Sequence, residues 1–355
     1  MGQTKERQSN FELLRIISMA LIVIHHFAYH GKVDLQAEVT QTSLALQFLA
    51  IGGTVGVNVF IMIGSYFLIG KDFHWRRVLK IVFDVILYSY LIMLVYAILK
   101  PDYLHGQNLF QMLMPFPGTY WFAGFYVLLI LFTPGLNLMI NYLSKGQLKM
   151  VLLLISVFLI VGPSLMLYDL SLEFKRLFSF IFMYLVTAYI KLYLPDRVNN
   201  KTTGRRLTLA TYFILLALMS LIFFTKIEFD SGAATDVLLS QNKIFIVAMS
   251  IGLFLWFKNM DMPVLKWVNA LAGSTFGVYL IHDQPLLRNT IWRVFANDAL
   301  DNNLALAFLR GLVEGLLVFT ICLIVSYLID RVLGRLTNWS ARSLGSRLDD
   351  FGNLL

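Results

Sequence analysis

The sequence predicts an all-α fold: a polytopic membrane bundle of about ten transmembrane helices with both termini in the cytoplasm. Three observations predict it. Apolar residues make up 58% of the 355 and charged residues only 14%, where soluble domains carry about 25% charged residues. The apolar residues gather into runs of bilayer length, about 20 residues each. The lysines and arginines fall mainly in alternate connections, the pattern that sets membrane orientation.

The first run, 11–30, follows a polar stretch, 1–10. No small-residue cleavage site follows it, so it reads as a retained helix rather than a signal peptide. Further runs fall at 45–69, 78–99, 119–143, 149–168, 174–193, 206–225, 236–257, 265–283 and 304–329. The runs 45–69 and 304–329 are long enough to tilt. Pro134 and Pro163 are expected to bend their helices, because proline lacks the N–H of the helical ladder. Gly52, Gly53, Gly56 and Gly64 are expected to let helices approach closely.

With the N-terminus inside, the inner connections hold Lys5 and Arg7, the group Lys71, Arg76, Arg77 and Lys80, and later Arg197, Lys201, Arg205 and Arg206. The outer connections are poorer in cations and include Lys32, Lys100, Lys175, Arg176, Lys226, Arg288 and Arg293. This asymmetry accounts for the net charge of +8, so nucleic acid is not an expected partner and membrane lipid is. The tryptophans fall at helix ends, where amphipathic rings settle at the bilayer interface. Two segments, 104–114 and 286–295, suit short interfacial helices, and the tail 330–355 is expected to lie on the inner surface. Residues 1–355 therefore read as one membrane domain, with its bundle at 11–329. The single cysteine, Cys322, excludes an intrachain disulfide framework or thiolate metal cluster.

Ionisable residues within a bilayer are costly and mark functional sites. Arg15 and His26 stand eleven positions apart in the first run, about three helical turns, so they share a face about 16 Å apart. Glu12 lies three residues before Arg15 and can neutralise it. The inner half of the membrane also holds Asp84, with Arg76, Arg77 and Lys80 at its mouth. Those cations suit either orientation and headgroup contact or the phosphates of a cytosolic donor. The outer half holds His30, Lys243, Arg310, Glu314, His282 and Asp283. Arg310 and Glu314 can pair within one helix turn, and the outer set can alternatively line a polar cavity. His26 can serve as a general base near neutral pH, or be a buried histidine bonded to a carbonyl. His25 points away from that face and reads as structural. His26 and His30 have a zinc-compatible spacing, but no third ligand stands out, so no metal is expected.

These residues also carry a resemblance. Arg15 and His26 resemble the first-helix signature of the acyltransferase-3 family of bacterial integral membrane acyltransferases. The stretch from Gly56 to Ile69, the basic entry Arg76-Arg77-Val78-Leu79-Lys80-Ile81, the start Tyr120-Trp121-Phe122, and Phe276 to Asp283 are similar to further family blocks, in order. Lys80 stands where the family commonly has arginine, and Ala123 and Gly124 where some branches have an acid. The resemblance is closest to members associated with capsule and exopolysaccharide.

The resemblance implies a membrane-bound O-acyltransferase of the bacterial cytoplasmic membrane. It would take an acyl group, commonly acetyl from acetyl-CoA, to a sugar hydroxyl of a surface polysaccharide or lipid-linked glycan. The donor phosphates would dock on Arg76, Arg77, Lys80 and Arg15, and His26 would act as base. The acceptor would meet His282, Asp283, Arg288, Glu314, Tyr120 and Trp121, with Glu12, Asp84 and Ser65 in support and Ser65 a conceivable acyl carrier. A transporter or flippase for a lipid-linked sugar and an envelope glycan polymerase are the rival readings.

Overall fold

The computed structural model describes residues 8–31, 33, 40–116, 118–165, 175–225, 234–295 and 302–352. Lys5, Arg7, Lys32 and Lys226 lie outside them, as do the ends of the runs at 166–168 and 174. Among the described residues every regular element is helical, and nine helical stretches are long and apolar enough to cross a membrane.

In order, the spanning helices are α1 (Ser9–His30), α2 (Gln41–Leu68) and α3 (Trp75–Leu99), followed by the short helix α4 (Gly106–Leu113) and α5 (Trp121–Tyr142). Next come α6 (Lys145–Ser156), a π turn at Val157–Val161 and α7 (Gly162–Leu165), which together make one span. The chain continues with α8 (Lys175–Tyr193), α9 (Lys201–Thr225), α10 (Ala234–Leu239) and α11 (Ile244–Lys258). The last elements are α12 (Lys266–Ala272), α13 (Thr275–His282), α14 (Pro285–Val294), α15 (Leu304–Val332) and α16 (Gly334–Gly352). The two expected interfacial helices are thus α4 and α14.

The run 265–283 is not one helix, which corrects the expectation. It breaks at Gly273 and Ser274 into α12 and α13. The pair still passes from one end of the bundle to the other. At its start, Leu265 N–H donates to Ser9 Oγ, and Ser9 Oγ donates to Asn269, beside the first turn of α1. Beyond its end, Gln41 N–H donates to Asn302 and Leu304 N–H to Gln41, at the first turn of α2. The break is held by Ser326 of α15, whose hydroxyl donates to Ser274 O at 2.7 Å. At the break Ser274 and Thr275 are buried in protein, while Gly273 is exposed.

The prolines follow the same rule. Pro134 leaves the Ile130 carbonyl without its ladder partner, and Thr133 Oγ1 donates to it at 2.6 Å. Pro163 frees the Leu159 carbonyl, the helix loosens into the π turn, and Asn242 Nδ2 donates there at 2.8 Å.

Helix α1 runs through the middle, with α2, α11, α12, α13 and α15 against it. Glycines set the closest approach. A Cβ on Gly53 would run into the His25 ring, and one on Gly56 would come 2.5 Å from Ser18 O. Lipid tails are as apolar as leucine, so helices associate by such close packing rather than by a hydrophobic drive. Large apolar side chains such as Ile98, Phe158 and Phe224 cover the outside, as a lipid-facing surface requires.

Candidate active site

Helix α1 presents Arg15 to one cavity and His26 to another, so their shared stripe faces the protein interior rather than lipid. The outer cavity holds about 450 Å³ and the inner one about 800 Å³.

The outer cavity is walled by α1, α8, the turn before α11 and the start of α14, with His26, His30, Trp121, Asp283 and Arg288 among its lining residues. Its floor is non-helical backbone at 240–243, pinned by two polar residues of α2. Thr54 donates to Leu239 O at 2.7 Å, while Asn58 and Gln241 exchange hydrogen bonds at 3.1 and 2.9 Å. Lys243 is buried behind that floor, with Nζ 2.8 Å from Pro163 O.

Hydrogen bonding fixes how His26 can act. His282 Nδ1 lies 2.7 Å from the Val278 carbonyl. A carbonyl only accepts, so Nδ1 carries the proton and Nε2 of the neutral ring is an acceptor. His26 Nδ1 lies 2.9 Å from that Nε2 and must therefore donate to it. The remaining nitrogen of His26, Nε2, keeps its lone pair: the form a general base requires. Asp283 stands 3.8 Å from His26 Nδ1, and Arg288 Nη1 reaches the same carboxylate oxygen at 3.3 Å. His25 bonds the Ala50 carbonyl at 2.9 Å and stacks on Tyr29, and, against the expectation that it points away, it lines the outer cavity beside His26.

The expectation that nothing completes the His26–His30 pair is corrected. Ligand atoms of His26, His30 and Asp283 all lie within 4.8 Å of one another. Arg288 already sets a fixed cation on Asp283, which opposes a divalent ion at that carboxylate.

The inner cavity is lined by Arg15, Arg76, Arg77, Lys80 and Tyr126, with Asn338, Arg342, Ser346 and Asp349 from α16. Arg15 Nε pairs with Glu12 Oε2 at 3.5 Å, an ionic contact without hydrogen-bond geometry. A donor paired this loosely can still take a ligand or water. Lys80 is held by Asp84 one turn on, so Asp84 serves that ammonium.

The two cavities share no lining residue. An aromatic layer separates them. Arg15 lies 5.5 Å from the Phe60 ring centre, Phe60 meets Phe122 at 5.8 Å, and Phe122 meets Tyr279 at 5.7 Å. Tyr279 in turn lies 6.3 Å from His282.

Several expected site residues stand elsewhere. His282 is fully buried behind His26 and does not line the outer cavity. Tyr120 is buried, with its hydroxyl donating to Leu280 O at 3.0 Å. Glu314 takes Arg310 Nε at 2.8 Å on α15, away from the outer cavity. Ser65 is buried, lines neither cavity, and donates to Ile61 O of its own helix at 2.8 Å. Trp121 does line the outer cavity, with Arg176 over its ring at 4.5 Å. Sequence reasoning missed Lys175, Arg176, Gln241 and Asn242 on the outer side and Asn338 and Arg342 on the inner. The dense outer cations at Lys175 and Arg176, against the prevailing charge asymmetry, were a signal for the first pair.

A family profile described as an acyltransferase domain matches residues 8–331, nearly the whole chain. The chain belongs to the acyltransferase-3 family. The protein is therefore a membrane-bound O-acyltransferase. No curated protein and no solved structure shows a match to it. In this acyltransferase the matched segment contains both histidines of the His26–His282 pair and every wall of the outer cavity, whereas α16 begins beyond it.

Proposed function

We propose that the acyltransferase moves an acyl group, acetyl from acetyl-CoA, onto a sugar hydroxyl of a bacterial cell-surface polysaccharide or its lipid-linked precursor, in the cytoplasmic membrane. The observation that carries this reading is the hydrogen-bond order Val278–His282–His26, which leaves His26 Nε2 as a proton acceptor at a polar cavity. Arg15, on the same helix, borders a separate cation-lined cavity suited to a phosphorylated donor.

In the proposed reaction the sugar hydroxyl gives its proton to His26 Nε2 and its oxygen attacks the acyl carbon. The carbon–sulfur bond of the thioester then breaks. The thiolate takes the proton back from His26, leaving an ester and free coenzyme A. The proton left on Nδ1 is held by His282 throughout. Arg76 and Arg77 receive the donor phosphates at the inner mouth, Lys80 being committed to Asp84, and Arg15 steers the arm inward. Asp283, Arg288 and Trp121 are placed to bind the acceptor's hydroxyls and ring face.

Surface glycan from wild-type, deletion and His26→Ala strains, compared by proton NMR, tests this. Acetyl methyl signals should vanish in the deletion and His26→Ala strains while glycan amount persists. Equal acetyl signals in all three overturn the reading. Changed export at constant ester would indicate a transporter, and shortened chains a polymerase.

A further inference from the structure

Helix α16 starts after the end of the matched segment at residue 331, yet it closes one side of the inner cavity. Its seat is built rather than incidental. Helix α3 begins without a capping side chain of its own, which leaves N–H groups of its first turn unsatisfied. Asp349 supplies the cap from α16: Trp75 N–H donates to its Oδ1 at 3.0 Å, and His74 Nδ1 lies 3.2 Å from its Oδ2. Lys80 Nζ donates to Thr337 Oγ1 at 3.2 Å. Gly345 lies so near the Arg76 backbone that a Cβ there would come 2.8 Å from its nitrogen. Thr337 and Ala341 are buried in this contact.

With these anchors set, Arg342 and Asn338 face the cavity across from Arg76 and Arg77. The neighbouring cations are partly engaged: Lys80 by Asp84, and Arg77 by the Asp72 carbonyl. Arg342 makes no hydrogen bond or ion pair among the described residues. Arg342 is exposed at this cation-lined cavity with its donors unspent, which suits bidentate capture of phosphate.

We propose that α16 is a wall of the donor site and that Arg342 binds a phosphate of the acyl-CoA, so that the donor is gripped from the α3 side and the α16 side together. This rests on the acyl-CoA reading above. It extends the donor site into a helix that the family match does not include.

The test uses the full chain, purified in lipid nanodiscs, with free coenzyme A as the probe in titration calorimetry. Arg342→Ala should weaken binding roughly tenfold, as loss of a charge-assisted hydrogen bond does. Arg342→Glu should weaken it further, and Arg342→Lys should retain an intermediate affinity. Arg347→Ala removes the same charge from the same helix outside the cavity and should bind like wild type. If wild type binds coenzyme A and Arg342→Ala binds it equally well, the role of α16 is overturned while the donor reading stands. If Arg347→Ala weakens binding as much as Arg342→Ala, bulk charge is responsible and the assignment is wrong. If wild type does not bind at all, the acyl-CoA reading itself fails, and this inference with it.

Discussion

His282 Nε2 accepts the Nδ1 proton of His26 at 2.9 Å, across 256 residues of sequence. The bond selects one tautomer of His26 and holds its ring at the edge of the outer cavity. It puts His282 in a positioning role, since the side chain is buried and touches no cavity surface.

Replacing His282 tests that role. His282→Leu leaves the Nδ1 proton of His26 without an acceptor, and acyl transfer should fall about tenfold or more, equivalent to one lost buried hydrogen bond. His282→Gln, whose amide oxygen can accept, should recover part of the rate. KM for the proposed acyl-CoA donor should stay at the wild-type value in both variants, measured by release of the coenzyme A thiol.

Removing either partner of the Asp283–Arg288 pair should have unequal effects. The carboxylate is buried and the guanidinium partly exposed. Arg288→Ala therefore strands a buried carboxylate, which costs more than the few kcal/mol of an unpaired neutral group. Asp283→Asn leaves a cation that water can reach. Thermal unfolding in detergent should show a larger drop for Arg288→Ala.

Glycine packing gives a direct stability prediction. Gly53→Ala drives a methyl group into the His25 ring, whereas Gly135 has nothing within 4 Å of its would-be Cβ. Overpacking costs about 1–3 kcal/mol. Gly53→Ala should reduce the yield of monodisperse protein in size-exclusion chromatography, and Gly135→Ala should leave it unchanged.

At the inner mouth, Arg76→Ala should raise KM for acyl-CoA, because Arg76 lines the cavity and is bound to no side chain among the described residues. Lys80→Ala should act chiefly on stability. Its ammonium is committed to Asp84, and removing it strands that carboxylate in the membrane interior. Steady-state kinetics and thermal unfolding of the two variants together separate these effects.

Much of the architecture was legible because bilayer solvation acts on each segment separately. A long apolar run must become a helix whatever its neighbours are, so nine of the ten expected runs appear as spanning helices. The short helices α4 and α14 were legible for the same local reason. The run 265–283 misled because its composition is apolar throughout. Its break depends on Ser326, fifty-two residues away, capturing the Ser274 carbonyl.

The candidate site divides in the same way. That Arg15 and His26 share one stripe follows from helical periodicity alone, whereas its facing two cavities is a tertiary result. Glu314 was expected near the acceptor because its depth suited it. Depth along a helix says nothing about which face turns inward, and Glu314 turned toward Arg310 instead.

The sequence by itself determined a membrane-spanning helical bundle and a first helix that bears both a guanidinium and an imidazole. Those follow from hydropathy, charge and the helical repeat, which are properties of consecutive residues. Only the tertiary structure decided that His282 fixes the tautomer of His26, that aromatic rings divide the two cavities, and that the final helix walls the inner one. Each depends on contacts between distant segments, whose geometry is set by how closely the helices pack rather than by any local pattern.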